Sequence, residues 1–145
     1  MRPQLGKVGI KIELRPSPDF PTWARRISNY DYDLDIDPVF NWGDPVIGVA
    51  RTYMSSNVRK GVVWANMSGY KNPKVDELLT QAAVENSPEK RDELYKEFQK
   101  IVNQELPVAW ITTYPSNTIY SKNLLNLPEG IWGAFEPFNN VVWSK

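Results

Sequence analysis

Four aspartates at alternate positions, Asp31, Asp33, Asp35 and Asp37, form the densest set of chemically capable side chains in this sequence. A run of oxygen donors at every second residue is what a calcium loop uses, but such a loop needs glycine at its sixth position and glutamate at its twelfth. Counted from Asp31, those places hold Ile36 and Trp42. Paired carboxylates also serve glycoside hydrolysis, which depends on a set separation between acid and base or nucleophile. The aspartates alternate with Tyr32, Leu34 and Ile36, so a strand puts all four on one face. Mutual repulsion then favours a face turned to solvent or to a cleft, with Asp37 at the strand end nearest a ligand.

Just beyond, Phe40-Asn41-Trp42-Gly43-Asp44-Pro45 brings rings, an amide, a flexible glycine and a carboxylate into six residues. Trp42 suits covering a ligand face, while Asn41 or Asp44 suits bonding to its polar groups. Asp44 has a competing task as N-cap of a short helix over Pro45 to Met54. Arg51, two turns into that helix, carries the planar fork that grips a carboxylate bidentately. Trp64 and Asn66 repeat the pairing of ring and amide. The candidate ligand-binding set is therefore Asp37, Phe40, Asn41, Trp42, Asp44, Arg51, Trp64 and Asn66. It lies in a long irregular connection, the kind of segment that often carries function.

Composition bounds the chemistry. The 145-residue chain contains no cysteine and no histidine. Thiolate metal sites, disulfides and serine–histidine triads are excluded, and nothing in the sequence calls for a cofactor. Lys+Arg and Asp+Glu balance at 17 each, so no net field draws nucleic acid or a membrane surface. No apolar run approaches the length of a membrane span, and Met1 to Lys7 has no apolar h-region of a signal peptide.

The elements that must position the candidates read as follows. Val8, Ile10, Ile12 and Leu14 alternate with polar residues and predict a strand ended by Pro16. Phe20, Trp23, Ala24 and Ile27 predict a short amphipathic helix over 19–29. With the strand at 32–37 they make a βαβ unit with a right-handed crossover. Asn72-Pro73 and Ser87-Pro88 are matching helix starts, followed by the stripes Val75, Leu78, Leu79, Ala82, Ala83 and Leu94, Phe98, Ile101, Val102. Pro107 closes the second helix, and Val108 to Tyr114 predicts a buried strand.

In sequence order these pieces resemble family 5 of the bacterial extracellular solute-binding proteins, the dipeptide, oligopeptide and nickel class. The matching residues are Val8 to Leu14; Tyr32-Asp33-Leu34, Trp42 and Asp44-Pro45; Gly69-Tyr70 with Asn72-Pro73 and Val75 to Leu79; and Arg91, Leu94-Tyr95, Gln99-Lys100-Ile101, Pro107 and Tyr114. The resemblance implies an α/β fold: lobe II of a type II periplasmic-binding-protein fold, with a βαβ core followed by two helices and a buried strand. Residues 1–120 are then part of the C-terminal lobe, and 121–145 a crossover tail returning to the first lobe. It implies a periplasmic or extracytoplasmic protein that captures a small-molecule or peptide ligand without catalysis and delivers it to an ABC permease. An acidic residue after the aspartate-bearing strand meets the peptide amine in peptide binders of this family, and here either Asp37 or Asp44 is near enough. It also implies that the signal peptide and first lobe lie outside this sequence, so that uncovered edges favour self-association. A hydrolase using Asp37 and Asp44 and a non-transport interaction module are the alternative readings.

Overall fold

A computed structural model describes residues 1–41, 43–113, 117–130, 132 and 135–144. Its best-packed part is a pair of long helices, α4 (Pro73–Val84) and α5 (Pro88–Glu105). Both begin by the same local rule. The Asn72 side chain accepts from the Lys74 and Val75 N–H groups, and Ser87 accepts from Lys90. Proline follows each cap at a position whose N–H has no helical acceptor. The earlier helix α2 (Phe20–Ser28) repeats the pattern, with Asp19 accepting from Thr22 at 2.7 Å and Pro21 in the first turn. Two short helices, α1 (Arg2–Gly6) and α3 (Val49–Tyr53), and a 3-10 turn at Ser55–Asn57 complete the helical set among the described residues.

The apolar stripes of α4 and α5 meet each other and α3. Tyr53, Val75, Leu78, Leu79, Phe98 and Val102 form one buried cluster, flanked by Leu94, Tyr95, Ile101 and Val108. Tyr53 sits edge-on to Phe98 at 5.2 Å between centroids, a favoured ring geometry, and its hydroxyl accepts from Trp110 Nε1 at 3.2 Å. Ala82 is buried as the stripe predicts, but Ala83 is exposed. Polar clamps fix the helix ends. Asp76 accepts the Ser55 N–H at 2.8 Å, and Glu105 accepts from Asn72 Nδ2 and from the Tyr70 hydroxyl. The Lys96–Asp92 pair closes at 2.8 Å on the exposed face of α5, where water screens it and it contributes little.

The strand expectations need correction. Residues 8–14 and 32–37 do not form a βαβ sheet among the described residues, and Leu34 and Ile36 are 72% and 71% exposed. Residues 108–113 are likewise unpaired rather than a buried strand, with Ile111 60% exposed, and Tyr114 lies outside the described residues. A period-two pattern specifies which face of a strand is apolar but does not supply the neighbouring strand that completes its ladder. Among the described residues the hydrogen-bonded sheet is a short antiparallel one, pairing β1 (Leu124–Leu125) with β2 (Val142–Trp143). The chain is therefore a mixture of helices and a small sheet, with most apolar burial in α3, α4 and α5. Its accessible surface of 11143 Å² exceeds by about 3,500 Å² the roughly 7,600 Å² usual for a folded chain of 16.7 kDa.

Candidate functional site

Asp37 stands at the end of the aspartate run. Its Oδ2 is shielded from solvent and has no hydrogen-bond partner among the described residues. Loss of hydration, and then the neighbouring charge of Asp35, push its carboxyl up to about 6. Burial, followed by the charge of Asp35, also raises the Tyr32 hydroxyl. Tyr32 is anchored too, since its hydroxyl donates to the Met67 carbonyl. The result is a carboxylate that gains from any donor brought to it.

This arrangement has a pH signature. The folded-state value of Asp37 lies above the unfolded one near 3.8, so the folded chain holds the proton more tightly. That stabilisation is present below about pH 4 and is lost as pH rises to about 6. Discounting for the solvent-exposed part of the group, the loss is about 1 kcal/mol. Asp37→Asn is expected to flatten this slope and raise neutral-pH stability, measured by urea denaturation at pH 4.5 and 7.

Asp44 has a different environment. Its Oδ1 accepts from the Val46 N–H at 2.9 Å, and Oδ2 pairs with Arg91 at 3.6 Å. The expected helix over Pro45 to Met54 starts later, at Val49, where Gly48 occupies the cap position without a side-chain bond. Asp44 therefore holds a turn ahead of α3 rather than capping a helix. Arg51 donates to the Phe40 carbonyl at 3.4 Å, which ties α3 back to the 40s segment. Phe40 and Asn41 are exposed there, and Trp42 lies outside the described residues.

Trp64 and Asn66 belong to a second neighbourhood. Trp64 holds φ at 55°, a left-handed conformation that costs a non-glycine residue about 1–2 kcal/mol. Its ring stacks on Phe20 at 5.6 Å and lies 6.0 Å from Trp23, joining the loop to α2. Asn66 is wholly buried. Its amide donates to the Met54 and Tyr70 carbonyls, and its Oδ1 accepts from the Tyr70 N–H and the Ser68 hydroxyl. Two donors and two lone pairs are all engaged, so the side chain has nothing left for a ligand. Gly69, at φ +70, makes the turn that brings Tyr70 N–H to Asn66.

The seven candidates that are described thus do not line a single wall. Asp37 sits with Tyr32 and Asp35; Phe40, Asp44 and Arg51 stitch the 40s segment to α3 and α5; Trp64 and Asn66 organise the loop against α2. Sequence reasoning missed Tyr30 and Tyr32, whose hydroxyls donate to the Asn66 and Met67 carbonyls and hold that loop. No period-two signal marks them, because Tyr30 stands in the turn after α2 at φ 59°. Arg91 as the partner of Asp44 had no local signal.

An open groove of ≈ 700 Å³ lies elsewhere, between α4 and α5, with Gln81, Glu85, Lys90 and Glu97 along it and none of the seven described candidates. Among the described residues no three carboxylates are grouped to hold a metal ion, and no helix is long and apolar enough to cross a membrane. Comparisons with protein-family models, with curated proteins and with solved structures find no match to this chain.

Proposed function

We propose that the chain is part of the solute-gripping lobe of an ABC-transporter binding protein, working in a periplasmic or other extracytoplasmic space. It captures a small solute such as a peptide and presents it to a membrane permease. The observation that carries this reading is the sheltered, unpartnered Oδ2 of Asp37. A ligand ammonium or amide supplies the donor that the described residues do not. The order of capped helices and turn motifs along the sequence supports the same class.

Of the two carboxylates able to meet a ligand amine, Asp37 is the better fitted, because Asp44 is already engaged by Arg91 and by the Val46 N–H. The same engagement favours binding over hydrolysis, which needs a second carboxylate free to exchange a proton or attack. Isothermal titration calorimetry with a set of di- and tripeptides, each with a free and an acetylated amino terminus, tests the proposal. Free-amine peptides are expected to bind, and Asp37→Asn to weaken them roughly tenfold or more, the scale of a lost charge-assisted hydrogen bond. Asp44→Asn is expected to change affinity far less. Equal binding by the parent protein and Asp37→Asn, or turnover of a peptide or glycoside, overturns it.

A further inference from the structure

Residues Ile10 to Arg15 are a mostly exposed segment outside any helix or turn, with unusual bounds. Gly9 turns the chain at φ +83 on one side, and Pro16 stops it on the other. From Lys11 to Leu14 no backbone N–H or C=O makes a backbone hydrogen bond among the described residues. Ile10 is 50% and Leu14 67% exposed, and Ile12 between them is half-buried. A row of unsatisfied backbone groups beside an apolar stripe is a template for strand addition.

We infer that this segment is the interface of a two-fold dimer, in which Ile10 to Leu14 pairs antiparallel with the same residues of a second copy of the chain. The occupant follows from the sequence of the edge itself. When an antiparallel pair is centred on Ile12, each residue faces the one equally far on the other side of Ile12. Lys11 then faces Glu13 twice across the axis, Ile10 faces Leu14 twice, and Ile12 faces its own copy. Both charge pairs are complementary and both apolar pairs lie on one face, as self-complementary two-fold contacts require. A net charge of zero leaves no overall repulsion between copies.

The absence of native cysteine makes the test direct. Residues opposite each other in an antiparallel pair have Cα atoms about 4.5–5.5 Å apart, within disulfide range. Sedimentation equilibrium of the full chain is expected to give twice the chain mass. Mild oxidation of Ile12→Cys is expected to give a covalent dimer, while Val84→Cys on the exposed side of α4 stays largely uncoupled. Lys11→Glu places like charges opposite each other twice and is expected to weaken the dimer about tenfold, with Lys11→Glu/Glu13→Lys restoring it. A single-chain mass at high concentration overturns the inference. So does a dimer in which Ile12→Cys fails to couple, or one indifferent to Lys11→Glu.

Discussion

Replacing Leu78 with alanine is expected to lower the stability of the chain by about 3 kcal/mol. Leu78 is 1% exposed and belongs to the cluster where α4, α5 and α3 meet. Truncation removes three heavy atoms from contact with this packed shell and leaves a cavity that two helices, fixed at their ends by Asn72, Glu105 and Asp76, have little freedom to close. Both losses add, which is why buried leucine truncations cost more than transfer to water alone. Urea denaturation followed by far-ultraviolet circular dichroism measures the effect, as a lower midpoint at unchanged slope. Val84→Ala on the same helix is the comparison. Val84 is mostly exposed and should shift stability by less than about 0.5 kcal/mol. Equal costs at the two positions would mean that α4 does not pack as described.

The three longer helices were readable in advance for a physical reason, whereas α1 was not foreseen and α3 starts later than expected. Each helix start is a local event in which a side chain accepts an N–H two or three residues away. Asp19, Asn72 and Ser87 therefore announce α2, α4 and α5 without knowledge of the rest of the chain. The stripes then specify which face is buried, and Val75, Leu78, Leu79, Phe98 and Val102 are indeed in the core. Ladders have no such local announcement. Val8 to Leu14 and Tyr32 to Asp37 have strand-like periodicity, yet their hydrogen bonds depend on partners distant in sequence or on another chain. The candidate site divides along the same line. The contrast between Asp37 and Asp44 rests on Arg91, 47 positions beyond Asp44 and invisible to any window around it. Asn66 drew notice as an amide beside a ring, but sequence cannot reveal whether an amide faces inward to carbonyls or outward to a ligand.

That question makes Asn66→Ala the most informative substitution in the loop, with an expected loss of about 3 kcal/mol or more. The amide serves three backbone groups, the carbonyls of Met54 and Tyr70 and the N–H of Tyr70, at 2.8–3.1 Å. Alanine leaves all three without that partner around a fully buried site, and each sheltered unsatisfied group costs about 1–3 kcal/mol when water cannot reach it. Asn66→Asp separates hydrogen bonding from packing, since it keeps the shape but replaces the donor with an acceptor facing two carbonyls. Its stability should be low at neutral pH and recover in part under acid, where a protonated carboxyl regains one donor. The sign follows from linkage: the folded state holds that proton more tightly than the unfolded state, so stability falls as pH rises. A ligand contact predicts the opposite division of effects, with affinity lost and the unfolding midpoint unchanged. Measuring both quantities on Asn66→Ala decides whether the loop between α3 and α4 is held by its own amide or waits for a solute to complete it.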